Sequence, residues 1–154
     1  MLRLNYKYPN NNAEFISDII KYIESLYSNY YWYITDLEII ANDREDYLYN
    51  KPMFSERVFN FQKQVDDENG VYIKTDKLLE ILFESRAIMR GVFSCFNDDV
   101  PKIKKYIQLV ENDIISEVPT NVMLEMRILD GDLISIFSDN SNVLNSIKEQ
   151  FYEY

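Results

Sequence analysis

Histidine is missing from this chain of 154 residues, and cysteine and glycine are scarce, with one and three copies. Without imidazole or paired thiolates the chain lacks the ligands of the common zinc sites, and it has no histidine to act as a general base. Three glycines do not make the glycine-rich loops that hold phosphates. These absences exclude most of the common types of catalytic and metal-binding site.

The single cysteine, Cys95, lies in the apolar segment 89–96, where we expect a buried and unreactive thiol. One cysteine forms no disulfide within the chain, which suits a reducing compartment. Residues 1–7 alternate instead of forming an apolar leader, and no run reaches the roughly 18 apolar residues of a membrane span. We therefore expect a cytoplasmic protein in which residues 1–154 form one domain.

Acidic side chains outnumber basic ones by 26 to 16, which gives a formal net charge of −10. The excess is regional, because residues 111–154 hold nine acids and two bases, and a second acidic stretch runs over residues 36–46. Residues 85–110 show the opposite balance, with five bases and two acids. Such a charge distribution attracts basic partners and repels nucleic acid, so we expect no direct binding to nucleic acid.

The first part of the chain has clear periodicities. Apolar and polar residues alternate over residues 2–8, which predicts a strand. The asparagines at 10–12 supply capping side chains for a helix over about residues 13–28, whose apolar residues recur at helical spacing. Residues 30–40 are rich in strand formers and predict a second strand. The polar residues 42–52 predict a loop.

The apolar residues that follow this loop fit two patterns. Phe59, Phe61 and Val65 share one face of a strand. Phe54 and Val58 join Phe61 and Val65 on one face of a helix. We favour the strand, over residues 54–65, and keep the helix as the alternative.

Two strands and two helices are predicted after the acidic turn at residues 66–70. Residues 71–73 predict a short strand, and Thr75 or Asp76 caps a short helix. The predicted buried face of that helix consists of Leu78, Leu79, Leu82 and Phe83. Residues 87–96 are apolar on both faces, as in a central strand. An aspartate pair before Pro101 predicts the start of another helix.

The clearest local signal is Asp130-Gly131 between the apolar stretches 121–129 and 132–137. A type I′ turn needs positive φ angles, which Asp-Gly tolerates, so we predict a hairpin with a two-residue loop. The opposed pairs in that register are Ile128 and Leu133, Met126 and Ser135, and Leu124 and Phe137. A final helix follows, capped near residues 140–142.

Together these elements predict an α+β fold in a single domain: a mixed or antiparallel sheet of about five or six strands with three or four helices, ending in a β-hairpin and a C-terminal helix. The acidic turn at 66–70 does not make a calcium loop, because aligning Gly70 with the sharp turn puts Val65 at the first ligand position. No carboxylate pair is marked for catalysis. We expect no metal, no cofactor and no enzymatic activity.

Two groups of residues are candidate contacts with a basic partner. Tyrosine and tryptophan are enriched at interface hot spots, and acids follow the aromatic run at 30–33, although alternate members of a strand point into the core. The first candidate group, here the aromatic patch, is Trp32, Tyr33, Asp36 and Glu38. The second, the C-terminal acidic patch, is Glu125, Asp130, Asp132 and Asp139. The sequence does not choose between them.

In size, acidity and the succession of the strand at 86–96, a lysine-bearing helix and a terminal hairpin with a helix, the chain resembles bacterial immunity proteins. These are the cognate inhibitors of secreted or contact-delivered toxins. The resemblance implies that acidic and aromatic residues cover the active site or an exosite of a basic toxin. A negative surface raises the association rate of a basic partner by about 10- to 1,000-fold, and aromatic anchors slow its dissociation.

Alternative functions stay open. A phage-encoded inhibitor could mimic the charge of nucleic acid, although the 16 basic residues dilute such a pattern. A small enzyme or ligand-binding domain could use carboxylates and tyrosines alone, which would need a concave pocket holding acids with strongly shifted pKa values. A homodimer contact through the basic cluster at 86–105 is a further alternative.

Overall fold

The computed structural model describes residues 1–27, 31–42, 56–96 and 122–151. Within these ranges the chain forms six strands, four α-helices and a short 3-10 helix at Pro9–Asn11. The strands are β1 (Leu2–Asn5), β2 (Tyr31–Ala41), β3 (Val71–Lys74), β4 (Ser85–Phe96), β5 (Leu124–Leu129) and β6 (Leu133–Phe137). The helices are α1 (Ala13–Leu26), α2 (Glu56–Glu68), α3 (Thr75–Phe83) and α4 (Ser141–Phe151).

The strands form one open sheet in which all neighbours run antiparallel. Their order across the sheet is β1-β6-β5-β4-β2-β3, so the short strands β1 and β3 lie at the edges and β4 and β5 at the centre. The predicted α+β class, the number of strands and the terminal hairpin followed by a helix are confirmed.

The four described helices pack on one side of the sheet, here called the helix face. Ile34, Phe93 and Met126 point to this face from β2, β4 and β5, and each is at most 1% exposed. They share a hydrophobic core with Ile19 of α1 and Ile147 of α4. Removing apolar surface from water stabilises the fold by about 25 cal/mol per Å², so this layer holds the helices on the sheet. The opposite side is the second face.

Asn12 precedes α1 in the N-cap position, yet its side chain does not cap the helix. Its Nδ2 donates to the carbonyl oxygens of Ile88 at 2.8 Å and Gly131 at 2.6 Å, and its Oδ1 accepts from the Ile88 N–H at 2.7 Å. The predicted capping role is therefore wrong for Asn12, whose buried amide joins the start of α1 to β4 and to the hairpin. The predicted helix itself is confirmed as α1.

The strand predicted over residues 54–65 is wrong, because α2 covers Glu56–Glu68. Val58, Phe61 and Val65 are 2 to 7% exposed and pack into the helix-face core. Their spacing of three and four residues places them on one side of a helix. The strand pattern instead required a buried Phe59, and that side chain is 70% exposed.

β2 contains a bulge at Asp36, whose φ of 49° lies in the left-handed region that Asp tolerates better than most residues. The register with β4 shifts between Thr35 and Glu38. An unshifted alternation after Ile34 would point Leu37 away from the helices. The bulge instead returns Leu37 to the helix-face core, where it is 5% exposed.

β5 and β6 form the predicted hairpin, but its loop has three residues, 130–132, so the predicted two-residue loop and its register are wrong. The facing pairs on the helix face are Ile128 with Ile134 and Met126 with Ile136. All four are at most 1% exposed, and this apolar match on the buried face fixes the register. Asp130 and Gly131 do adopt the expected positive φ angles, 51° and 74°.

The C-terminal helix is confirmed as α4, and Asn140 Oδ1 accepts hydrogen bonds from the backbone N–H groups of Asn142 and Val143 at 3.1 and 3.4 Å. The first strand ends at Asn5, earlier than predicted. The helix predicted after Pro101, and the predicted loop beyond its first residue, lie outside the described residues. No helix in the described ranges is both long enough and apolar enough to cross a membrane.

Candidate functional site

The aromatic patch does not form one surface, because its residues point to both sides of β2. Trp32 lies in the helix-face core, 1% exposed, and its indole Nε1 donates to Thr75 Oγ1 at 3.2 Å. Thr75, at the start of α3, is itself only 3% exposed, so this bond satisfies two buried polar groups. Trp32 is therefore a core residue that offers almost no surface to a partner.

Tyr33 points to the second face and is also buried, at 7% exposure. Its ring lies 4.4 Å from that of Tyr72 between centroids, and its hydroxyl donates to the Asn69 carbonyl oxygen at 3.0 Å. Burial raises the pKa of the Tyr33 hydroxyl above its ordinary value of 10.0, so this group stays a protonated donor at neutral pH. Tyr33 therefore orders the turn before β3 and offers almost no surface to a partner.

The acidic residues of the aromatic patch lie beside Arg90 of β4. Asp36 Oδ1 is 3.2 Å from Arg90 Nε, and the Asp36 side chain is only 11% exposed. The contact is electrostatic, since this Nε has no partner in hydrogen-bonding geometry among the described residues. Glu38 faces Arg90 in the strand register and is exposed. Only Glu38 of the aromatic patch thus presents an exposed carboxylate.

Glu125 of the C-terminal acidic patch is buried on the second face, at 1% exposure. Arg127 Nε donates to Glu125 Oε1 at 2.5 Å, and Ser94 Oγ donates to Glu125 Oε2 at 3.3 Å. The Arg127 guanidinium also lies 4.5 Å from the centre of the Phe137 ring. Glu125 is therefore one half of a buried ion pair and offers almost no surface to a partner.

The remaining acids of this patch lie at opposite ends of the sheet. Asp130 and Asp132 flank Gly131 at the hairpin tip and are both exposed. Asp139 is exposed too, but it follows β6 and precedes α4. The five residues of β6 span roughly 17 Å, so Asp139 is remote from the tip.

The hairpin tip packs against the segment that precedes α1. The Tyr6 N–H donates to the Asp132 carbonyl oxygen at 2.8 Å, and a Cβ atom on Gly131 would lie 2.7 Å from the Pro9 carbonyl oxygen. Glycine permits this close approach. Asp130 and Asp132 are consequently held next to the segment that leads into α1.

A groove of about 440 Å³ lies between α1 and α3. Asn11 and Glu14 line one side, and Leu79, Leu82 and Phe83 line the other. The carbonyl oxygen of Phe83 is held by a hydrogen bond from the Asn42 side chain at 3.2 Å. Asn11 of this groove lies two residues from Pro9, which Gly131 of the hairpin tip approaches closely.

Two aromatic side chains in these parts of the chain protrude into solvent. Tyr8 is 65% exposed and Phe83 is 72% exposed, so the predicted burial of Phe83 is wrong. The buried stripe of α3 runs through Leu78 and Leu82 instead, and the residue after Leu82 is rotated by about 100° away from it. We call the surface made by Tyr8, Glu14, Phe83, Asp130 and Asp132 the hairpin end.

The carboxylates of the hairpin end, like those of Glu38, Asp66 and several other described acids, lie outside the ion pairs of the described residues. Glu14, Asp130 and Asp132 form no ion pair with any described residue. The described carboxylates that do form ion pairs are Asp18, Asp36, Asp67, Glu80, Glu84 and Glu125. Burial and the negative charge of Glu14 both raise the pKa of the nearby Tyr6 hydroxyl. Negative charge at the hairpin end is thus not neutralised by an ion pair with any described residue.

The described side chains include no cluster of three or more Cys, Asp or Glu residues suited to hold a metal ion. The chain matches none of the protein-family models, curated proteins or solved structures with which it was compared.

Proposed function

We propose that this chain is an acidic protein-binding module that neutralises a basic protein, and specifically a cytoplasmic immunity protein that inhibits a cognate bacterial toxin. The partner surface would lie against the hairpin end. The observation that carries the proposal is the combination there of three exposed carboxylates outside any described ion pair with two protruding aromatic rings.

The carboxylates supply long-range attraction. Charges left unneutralised on one surface create a field that steers an oppositely charged protein toward it and raises the rate of encounter. Asp130 and Asp132 lie on a loop tied down by the backbone contacts of Gly131 and Tyr6, so they are already held in place before binding. Such preorganisation lowers the entropy lost on association.

The aromatic rings supply the short-range part of the interaction. Tyr8 and Phe83 are the large apolar side chains at this end that expose more than half of their surface. Tyrosine is among the residues enriched at interface hot spots, and burying an aromatic ring removes much apolar surface from water. The rings would therefore slow dissociation after the charges have guided the partner into place.

The experiment uses the product of the gene immediately upstream as the candidate partner. Its toxicity is measured by growth with and without this chain, and the rates of association and dissociation are measured with purified proteins. Asp130→Asn with Asp132→Asn should lower the association rate about tenfold or more at low salt, because two steering charges are lost. Phe83→Ala should mainly raise the dissociation rate.

The matched control is Glu24→Gln with Asp66→Asn, which removes the same charge from exposed positions outside both candidate groups and the hairpin end. Equal effects of the two double variants would mean that total charge, rather than this surface, governs binding. A partner that binds DNA, and whose affinity for this chain falls as steeply with salt as its affinity for DNA, would favour the nucleic-acid mimic instead. Growth inhibition unrelieved by this chain would contradict the immunity proposal.

A further inference from the structure

The groove between α1 and α3 has two chemically different sides. Glu14 presents a carboxylate from the first turn of α1, while Leu79 and Phe83 present apolar surface from the last turns of α3, above the buried Leu82. The groove, at about 440 Å³, has room for one extended side chain, and the hydroxyl-bearing Ser17 and Ser85 also line it. A side chain with an apolar stem and a polar end would match these two sides of the groove.

The electrostatics of the groove favour a cationic end. The C-terminal end of a helix carries partial negative charge, and α3 has no basic residue in its last turn to offset it. Glu14 adds a full negative charge that no described residue neutralises in an ion pair. Lys21 is the one basic side chain among the described residues that line the groove, and its Nζ lies 3.0 Å from Asp18 Oδ1.

The exposed ring of Phe83 favours an arginine over a lysine as the cationic end of the ligand. A guanidinium is planar and stacks on an aromatic face, and its forked donors pair with a carboxylate in two places at once. An ammonium is a strongly hydrated point charge and makes a weaker match to a ring. A long stem packed on Leu79 with a head between Phe83 and Glu14 is the arrangement that arginine suits.

We infer that this groove is a socket for one arginine side chain of the partner protein. The inference rests on the proposed function, because it names the chemistry by which the hairpin end would recognise a basic protein. The arginine stem would lie on the apolar side of the groove and its guanidinium would reach Glu14. The shape of the socket would then select a partner with an arginine that protrudes from its basic surface.

The test uses the full chain labelled with ¹⁵N and hexa-arginine, hexa-lysine and hexa-glutamate peptides as probes. Hexa-arginine should shift the backbone amide resonances of Glu14, Leu79 and Phe83, and it should bind several times more tightly than hexa-lysine. Hexa-glutamate should leave these resonances unchanged. Equal binding of the two basic peptides, or shifts confined to other surfaces, would overturn the socket.

Glu14→Gln and Phe83→Ala should each weaken the binding of hexa-arginine about tenfold, whereas the control Glu24→Gln should not. All three positions are exposed, so the variants should keep the fold, which circular dichroism checks. If neither groove variant changes hexa-arginine binding, the socket is wrong. If Asp130→Asn with Asp132→Asn weakens the partner complex but Glu14→Gln does not, the socket fails while the proposed function stands.

Discussion

The side chain of Asn12 forms two hydrogen bonds with the backbone of Ile88, 76 residues further along the chain. Its oxygen accepts from the Ile88 N–H and its nitrogen donates to the Ile88 carbonyl oxygen, as a neighbouring strand would do. The register between β2 and β4 skips Met89 at this point, so β4 is irregular there. One asparagine side chain thus substitutes for strand pairing and also holds the Gly131 carbonyl oxygen.

Asn12→Ala should therefore destabilise the protein far more than a surface substitution. The variant leaves the Ile88 N–H and the carbonyl oxygens of Ile88 and Gly131 without this partner, and each unsatisfied buried group costs about 1 to 3 kcal/mol. We expect the free energy of unfolding in urea to fall by about 3 kcal/mol or more. Asn10→Ala, at an exposed position, is the control and should change it by less than about 0.5 kcal/mol. Similar losses in both variants would show that the bonds contribute little.

The Asn12 contacts also show where prediction from the sequence stops. The asparagine run before an amphipathic stretch correctly predicts where α1 begins, because helix starts are decided locally. The actual partners of Asn12 are backbone groups 76 and 119 residues away, and no local pattern encodes them. Long-range hydrogen bonds become visible only when the topology of the sheet is known.

The buried pair of Glu125 and Arg127 leads to a second prediction. Removing one member of a buried ion pair leaves an uncompensated charge and costs about 3 to 5 kcal/mol. Arg127→Met should lower the free energy of unfolding by up to that amount, since Glu125 is 1% exposed and loses the hydrogen bond from Arg127 Nε. The double variant Glu125→Leu with Arg127→Met should recover most of the loss, because no charge stays buried.

The control for this pair is Lys21→Met, which breaks the exposed pair with Asp18. Exposed ion pairs contribute roughly 0 to 1 kcal/mol, so this variant should unfold almost as the parent does. If Arg127→Met lowered the free energy of unfolding no more than Lys21→Met does, the Glu125–Arg127 pair would not be strongly coupled. A double variant less stable than Arg127→Met would contradict it as well.

Glu125 and Trp32 illustrate a second limit of the sequence. Charge and aromatic content mark both as surface contacts, but side-chain direction in a strand depends on register and on bulges. The period of two is readable in β1 and β6, which have one clearly apolar side. It is obscured in β2 and β5, where Tyr33 and Glu125 are buried on the second face. Composition therefore located the acidic regions, while the structure decides which acids reach the surface.

Gly131 gives a third prediction. Its φ of 74° and its approach to the Pro9 carbonyl oxygen both disfavour a side chain, so Gly131→Ala should cost about 1 to 3 kcal/mol of unfolding free energy. Gly131→Asn separates the two causes, because asparagine tolerates the left-handed φ but still has a Cβ atom. If Pro9 is the main obstacle, both variants should lose similar stability. If Gly131→Ala were as stable as the parent, neither the φ angle nor the approach to Pro9 would disfavour a side chain at this position.

Cys95 gives a final prediction, about alkaline pH. The thiol is 0% exposed, which confirms the expected buried cysteine, and burial raises its pKa far above the ordinary value. Below a pH of about 8.5 both the folded and the unfolded chain keep the thiol proton, so the ionisation of this group does not make stability depend on pH. Above it the unfolded chain loses the proton first, and the free energy of unfolding should fall by up to about 1.4 kcal/mol per pH unit.

Cys95→Ala should remove this slope between about pH 8.5 and 10, whatever its effect on stability at neutral pH. The range ends there because burial also raises the pKa values of Tyr6, Tyr27, Tyr33 and Tyr72, and unfolded tyrosines lose their protons from about pH 10. Urea titrations of both proteins across this range measure the two slopes. Parallel curves would mean that the thiolate is equally stable in the folded and unfolded chains, which a thiol enclosed by β4 and the helix-face core does not allow.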